Sequence, residues 1–306
     1  MIYPARIHKG DTIGVIAPAS PVIRKELYRG ITFFEEMGLY VKLGKHIDQE
    51  RGYLAGTDQE RLADMHAMFA DPSVKAIFCA RGGYGTGRMA AEIDYDLIRK
   101  HPKIFWGYSD ITYLHTAIRQ TTGLVTFHGP MVASDIAKAD FAELSANLFE
   151  QLFFPTKLCY SEAVSPLQVF VPGEATGELV GGNLSLLVST LGTPHEIDTE
   201  GKLLLLEDIG EEPYRVDAML NQLKLAGKLC HVAGMIIGDF ALPTPKKEKP
   251  SLSLDQVFQH YFAELNCPVM SGFKIGHCTP NFSVPLGVKA TLSTSKKTLV
   301  INAGVK

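Results

Sequence analysis

The chain has 306 residues with a formal net charge of −3, 46% of them hydrophobic and 21% charged, which is the composition of a globular protein with room for two domain cores. That charge balance gives no electrostatic basis for binding nucleic acid or an anionic membrane surface. No apolar run approaches the ~20 residues of a membrane span, and the first residues lack the apolar core of a signal peptide. Five scattered cysteines (Cys79, Cys159, Cys230, Cys267, Cys278) without a C-x-x-C pair point to reduced thiols and a cytoplasmic protein, not to a disulfide framework or a zinc site.

The apolar run Thr12–Ala17, closed by Pro18-Ala19-Ser20-Pro21, predicts a buried parallel strand and a loop. Helical spacing of Leu27, Ile31 and Phe34 predicts a helix over 23–37, with Gly38 as its stop. Leu39–Leu43 reads as a second strand, and Thr57-Asp58-Gln59-Glu60 as a capping box opening a helix. Lys75–Ala80 predicts a third strand that runs into the glycine loop Arg81-Gly82-Gly83-Tyr84-Gly85-Thr86-Gly87-Arg88, followed by another helix. A strand through Ile104–Trp106 comes next. The alternation predicts an α/β domain built on a parallel sheet, and ligands collect beyond the carboxyl ends of such strands.

Both the glycine loop and the segment Gly107-Tyr108-Ser109-Asp110 fall at such ends. Ser109 occupies a strand-to-helix corner, where its hydroxyl points out of the sheet edge over unpaired helix N–H groups. Two readings stand for it, a nucleophile or a helix cap. The glycine loop matches neither a Walker A motif nor G-x-G-x-x-G. It is a tight turn, a weak phosphate cradle or a donor of oxyanion-binding N–H groups.

After a strand through Val125–His128 and a helix ending near Phe154, prolines at 155, 166 and 172 mark a crossover. The expected division is an N-terminal domain over 1–155, a crossover over 156–175 and a smaller mixed α/β domain over 176–306. In the second domain, strands are expected at 202–206 and 235–238, helices through Val216–Leu223 and Val257–Tyr261, a solvated loop at 243–250 and a hairpin over 288–302. Glu207 follows four leucines. A carboxylate at the mouth of a buried strand needs a partner, such as an imidazole, unless it is a cap or surface group. Asp208 must face the other way. Among ten histidines, His277 stands in a loop between Gly276 and Pro280, with His128 as its rival; His115 points along its helix, away from the serine. Ser109, His277 and Glu207 thus supply a nucleophile, a base and an orienting carboxylate, with two of the three from the second domain. No metal or cofactor is required, and the histidines show no H-x-x-x-H spacing.

The motifs Arg81–Gly85, Gly107–Asp110, Phe127–Met131, Gly181–Leu184, Leu206–Asp208 with Pro213–Val216, and Gly276-His277 with Pro285–Gly287 make the chain similar to the LD-carboxypeptidase family. These are serine peptidases that include murein tetrapeptide carboxypeptidase and the microcin C immunity peptidase. The motifs stand in family order over nearly the whole chain. The resemblance implies a flavodoxin-like or amidotransferase-like N-terminal domain, a mixed C-terminal domain and a homodimer. It also implies a Ser109–Glu207–His277 triad and an oxyanion hole from the backbone N–H groups of Asp110 and Gly82 or Gly83. The implied reaction removes the terminal D-alanine of a murein tetrapeptide in peptidoglycan recycling, with Arg81, Tyr84 and Arg88 as expected substrate contacts. Within the family the alternative is cleavage of an aminoacyl or peptidyl nucleotide. That branch stacks a loop tryptophan on the nucleobase, whereas the single tryptophan here, Trp106, lies in a strand. A non-catalytic protein holding a phosphorylated ligand on the glycine loop is the remaining alternative.

Overall fold

The computed structural model describes residues 1–241 and 250–306; of the solvated loop expected at 243–250, positions 243–249 lie outside the described residues. Two compact units emerge. The first comprises Met1–Thr156, Pro280–Gly287 and Ala303–Lys306, the second Lys157–Thr279 and Val288–Asn302. A single cut in the chain therefore does not divide them, because two C-terminal segments belong with the N-terminal residues.

In the first unit, strands β1 (Thr12–Ile16), β2 (Tyr40–Leu43), β3 (Val74–Cys79), β4 (Ile104–Gly107) and β5 (Thr126–His128) form a parallel sheet in the order 2-1-3-4-5. Side chains alternate between its faces, and both faces are covered. On one side Ile77, Cys79 and Phe105 pack with Met65 and Phe69 of helix α2 (Asp58–Ala70), Ile98 of α3 (Tyr95–Lys100) and Leu114 of α4 (Ile111–Thr122). On the other, Phe78 lies against Phe34 of α1 (Arg24–Glu36), and Trp106 stacks on Phe149 at 4.5 Å. The capping box at Thr57 and Glu60 forms as its spelling predicts, and Gly38 turns out of α1 with φ of 83°. The glycine loop leads first into two short 3₁₀ turns, Thr86–Arg88 and Ala90–Glu92, and only then into α3. The helix expected to end near Phe154 is broken into a π turn at Val132–Ile136, α5 (Glu143–Asn147) and a 3₁₀ turn at Leu148–Leu152.

The second unit is one mixed sheet. Its parallel centre is β8 (Glu174–Asn183), β9 (Leu203–Ile209), β10 (Gly234–Ala241) and β11 (Val269–Ser271). Antiparallel strands flank that centre on both sides, namely β6 (Leu158–Ser161), β7 (Gln168–Val171), β13 (Lys289–Ser293) and β14 (Thr298–Ile301). The hairpin β13–β14 matches expectation. The crossover expected over 156–175 instead contributes β6 and β7, the two edge strands of this sheet. Pro166 and Pro172 bracket β7 without interrupting it, as proline permits at an edge. Short, half-exposed edge strands carry no apolar run to reveal them. Helices α6 (Leu184–Ser189), α7 (Pro213–Leu225) and α8 (Leu254–Phe262) bury Leu187, Leu220 and Phe262 in a core with Leu204 and Ile237 of the sheet. The remaining strand, β12 (Val284–Leu286), pairs antiparallel with β5 and closes one edge of the first unit's sheet.

His115, wholly buried on α4, directs Nε2 at the Gly107 carbonyl over 2.8 Å, and burial depresses its pKa from 6.5 to about 4. Between these values the unfolded chain binds a proton that the folded chain refuses. His115 therefore favours folding above pH 6.5, and that contribution is lost as the pH falls to 4. Between pH 7 and pH 4 wild type should lose about 3 kcal/mol more stability than His115→Gln, measured by chemical denaturation; parallel pH profiles would refute this.

Candidate active site

The strand order reverses direction between β1 and β3, and in doubly wound sheets the crevice forms at that point. There the loops after β1 and β3 meet: Ser20 donates its N–H to the Gly82 carbonyl at 3.2 Å, and its hydroxyl donates to the Tyr53 carbonyl at 2.9 Å. The next strand, β4, ends at Gly107 and delivers Ser109 with φ of 62°. Among the described residues only one other non-glycine, Lys297 in a hairpin turn, has positive φ. The left-handed conformation costs an L-residue roughly 1–2 kcal/mol, and it is the geometry of a nucleophile elbow. Asp110, at the N-cap position of α4, makes no side-chain cap bond. Its carboxylate instead accepts the Thr86 N–H at 2.9 Å, and its carbonyl accepts the Thr86 hydroxyl at 2.6 Å. Burial raises the Asp110 pKa, and the bonds from Thr86 pull it back down. The elbow is thereby tied to the end of the glycine loop, and Tyr108 ties it further by donating to Asp135 at 3.1 Å.

Gly82 lies directly against the serine. A Cβ there would stand 3.0 Å from Ser109 Cβ and 3.1 Å from its Oγ. Gly83 has φ of 117°, and a Cβ on it would fall 2.0 Å from the Ser20 hydroxyl. Behind the loop the buried Arg61 donates to the carbonyls of Pro18 (2.5 Å) and Gly85 (3.0 Å) and pairs with Asp58. Asp58 also holds Arg88, whose Nη2 is 2.8 Å away. Of the expected substrate contacts, Arg88 is thus already engaged. Arg81 donates Nη1 to the Pro21 carbonyl at 3.1 Å, and the exposed Tyr84 meets Tyr53 edge-on at 5.6 Å.

The second unit holds the other candidate pair. Glu207, near the end of β9, is wholly buried. Its Oε2 accepts a hydrogen bond from His277 Nδ1 at 2.7 Å. Burial pushes the Glu207 carboxyl up and the neighbouring imidazole pulls it down. With Nδ1 donating, Nε2 is left with the lone pair that a general base needs. Two glycines make space for the carboxylate: a Cβ on Gly276 would lie 2.5 Å from Oε2, and one on Gly238 would lie 3.1 Å from Glu207 Cβ. Asp208 faces the opposite way, accepting from Asn183 Nδ2, the Ser185 N–H and the Ser185 hydroxyl at 2.7–2.9 Å. His128, the rival base, is fully buried within β5, its ring against Tyr108.

The LD-carboxypeptidase N-terminal domain matches residues 13–129, and the LD-carboxypeptidase C-terminal domain matches residues 176–292. The chain belongs to the LD-carboxypeptidase family. It is 60% identical over 302 residues to the probable murein peptide carboxypeptidase of Bacillus subtilis, covering 99% of this chain and 95% of that one. Among solved structures it is similar to an MccF-like protein from Bacillus anthracis (TM-score 0.89, 28% identity, 99% and 100% of the two chains). It is also similar to a muramoyltetrapeptide carboxypeptidase from Oxalobacter formigenes (TM-score 0.84, 30% identity, 96% and 100%). The protein is accordingly a hydrolase of the serine-type LD-carboxypeptidases. Among the described residues no cluster of His, Cys, Asp or Glu is arranged to hold a metal, and no helix is long and apolar enough to cross a membrane.

Several residues around these groups escape a sequence reading. Ser20 is tied to the glycine loop from 62 positions away, and nothing in Pro-Ala-Ser-Pro marks it. Asp239 and Lys274, whose side chains pair at 3.3 Å, look like unrelated surface charges in the sequence.

Backbone strain and close packing at the elbow have separate consequences. Ser109→Gly should be more stable than Ser109→Ala by about 1 kcal/mol in denaturant titrations, because only glycine relaxes at positive φ; equal stabilities would contradict the strained elbow. Gly82→Ala should retain the fold but lower kcat at least tenfold by displacing the serine, and unchanged turnover would remove Gly82 from the site.

Proposed function

We propose that Ser109, His277 and Glu207 act as a catalytic triad that hydrolyses an L,D peptide bond and releases the terminal D-alanine of murein tetrapeptides. The observation carrying this reading is the 2.7 Å bond from His277 Nδ1 to a carboxylate with no solvent exposure, which leaves Nε2 as the basic nitrogen. His277 takes the Ser109 proton as the hydroxyl attacks the scissile carbonyl. The backbone N–H groups of Asp110 and of Gly82 or Gly83 receive the oxyanion. The protonated imidazole then gives its proton to the departing amine of D-alanine, and water, activated by the same nitrogen, hydrolyses the acyl-enzyme. A carboxypeptidase also has to bind a free carboxylate. With Arg88 held by Asp58, Arg81 is the cation we assign to it, and its buried Nε has no hydrogen-bond partner among the described residues.

The murein substrate is supported by the name of the 60% identical relative. A nucleotide substrate is less well supported: Trp106 is wholly buried and donates its indole N–H to the Pro130 carbonyl at 2.8 Å, so it offers no face to a base. Peptidoglycan recycling in the cytoplasm by a homodimer completes the reading; five cysteines without a disulfide suit a reducing compartment.

The test is D-alanine release from a murein tetrapeptide beside cleavage of an aminoacyl-sulfamoyl adenylate. We expect the first to exceed the second, with Ser109→Ala, Glu207→Gln and His277→Ala each lowering kcat/KM for the tetrapeptide roughly a thousandfold or more while remaining folded. Preference for the adenylate would transfer the protein to the nucleotide-cleaving branch. Ordinary turnover in any one variant would remove that residue from the triad.

A further inference from the structure

The sheet of the second unit cannot lie flat. Its edge strands β6 and β7 stand at opposite ends of eight strands, which would part them by about 34 Å at the usual strand spacing. Only residues 162–167 join them, and the seven extended steps from Ser161 to Gln168 reach roughly 25 Å at most. The sheet therefore curls until its two edges approach each other. Tyr160, from β6, is wholly buried at that seam, and its ring packs at 4.9 Å on Phe273, just beyond β11.

Phe273 belongs to the segment that runs from β11 to His277. Residues 272–278 lie outside every strand of the described residues. The Ile275 N–H turns back to the Phe273 carbonyl at 2.8 Å and the Cys278 N–H to the Gly276 carbonyl at 2.9 Å, so these local bonds close only tight three-residue turns. Longer-range partners fix the segment in place. A bulge in β10, where the register to β9 passes from Ile237↔Leu206 to Phe240↔Asp208, aims the Asp239 N–H at the Ile275 carbonyl over 2.9 Å. The Lys274 N–H is accepted by the Tyr160 hydroxyl at 2.6 Å. Tyr160 meets Ser165 at 2.6 Å, and the Ser165 hydroxyl donates to the Gly272 carbonyl at 2.5 Å. With Ser165 committed as that donor, the phenol proton points at Ser165 Oγ. Burial raises the Tyr160 pKa against the opposing pull of Ser165 and Lys274, so the phenol keeps that proton. Three bonds then run in one direction, from the Lys274 N–H through Tyr160 and Ser165 to the Gly272 carbonyl, and bonds in such a chain strengthen one another. The chain begins and ends on the same segment, two residues apart.

We infer that Tyr160 is a positioning residue for His277: its hydroxyl, braced by Ser165, sets the segment where Nδ1 meets Glu207. The effect on turnover rests on the peptidase reading above. Lys274 stands three residues before His277, a span of at most ~10 Å. Between them Gly276 passes so close to Glu207 that a Cβ on it would stand 2.5 Å from Oε2. An approach that tight tolerates little displacement, and a shift near 1 Å at a catalytic group can cost about a hundredfold in rate. Without the phenol oxygen the Lys274 N–H loses its acceptor and Ser165 its brace. The segment is then free to lift, and the 2.7 Å bond from His277 to Glu207 lengthens. The ring contact with Phe273 survives the loss of the oxygen, which separates the hydroxyl's role from packing.

The experiment uses Tyr160→Phe, Glu207→Gln and the two combined. On a murein tetrapeptide, Tyr160→Phe should lower kcat at least tenfold and leave KM within twofold. Added to Glu207→Gln it should cost less than a further threefold, because the charge-assisted bond that it protects is already gone. An undiminished kcat, or the same fold-loss in both backgrounds, overturns the positioning role. A second readout needs no turnover. The proton on His277 Nδ1 is identified as the far-downfield proton NMR signal that His277→Gln abolishes, and it should move upfield in Tyr160→Phe as its bond to Glu207 lengthens. An unmoved signal overturns the inference whatever the kinetics. If wild type releases no D-alanine, the peptidase reading fails separately and the NMR signal alone decides the positioning role. Should Tyr160→Phe not fold, Ser165→Ala, which removes the brace, is held to the same kinetic and spectroscopic outcomes.

Discussion

A carboxylate with no exposure to water is the constraint around which the second unit is organised. Glu207 stands at the end of four buried leucines, where an unpaired charge would cost several kcal/mol. The structure meets that cost with His277, bound at 2.7 Å, and with glycines at 238 and 276 that leave room for the carboxyl group. One requirement thus accounts for three features: the imidazole is oriented, its tautomer is set, and the loop bearing it approaches the strand closely. Removing the carboxylate would release all three at once, so its role is positional as much as electrostatic.

The first unit solves a different problem by backbone means. The chain itself presents Ser109, through a left-handed φ and a glycine loop so close that a Cβ on Gly82 would stand 3.0 Å from the Ser109 Cβ. Strain of this sort persists only where the surroundings over-determine it. Here they do: Asp110 grips Thr86, Tyr108 grips Asp135 and Arg61 grips the carbonyls of Pro18 and Gly85. A buried arginine bonded to main-chain carbonyls is an expensive way to shape a loop, and it is used where four glycines in six residues would otherwise leave the backbone loose.

Features dictated by periodicity or local chemistry were legible in the sequence. The central strands are apolar runs, α1 has its stripe at Leu27, Ile31 and Phe34, and Thr57 with Glu60 spells its own cap. The serine corner, Glu207 and His277 were legible because each is a polar residue where burial or turn geometry makes an idle polar group hard to explain. What remained hidden depends on distant partners. Strands β6 and β7 pair at the edges of a sheet whose centre lies elsewhere in sequence, and β12 returns to β5 after more than 150 residues. The bulge at Gly238–Asp239 is a difference in register between two strands, which neither strand states by itself. Arg88 looked like a free cation until the fold supplied Asp58.

Both candidate regions sit at the ends of strands whose other residues are buried on both faces, and this placement follows from energetics. A strained serine and a buried acid each subtract from a marginal net stability, so they are sustained only beside dense apolar packing that pins the neighbouring backbone. Trp106 and Phe105, immediately before the elbow, and Leu203–Leu206, immediately before Glu207, are among the most buried residues of their units. The last residue or two of each strand can then adopt a geometry that local preference disfavours, because the preceding turns of chain cannot move to relieve it. The same rigidity shapes the bulge in β10: against a fixed β9, the extra residue at Gly238–Asp239 cannot be absorbed by sliding, and Asp239 comes to line a cavity with Lys274 and Phe258.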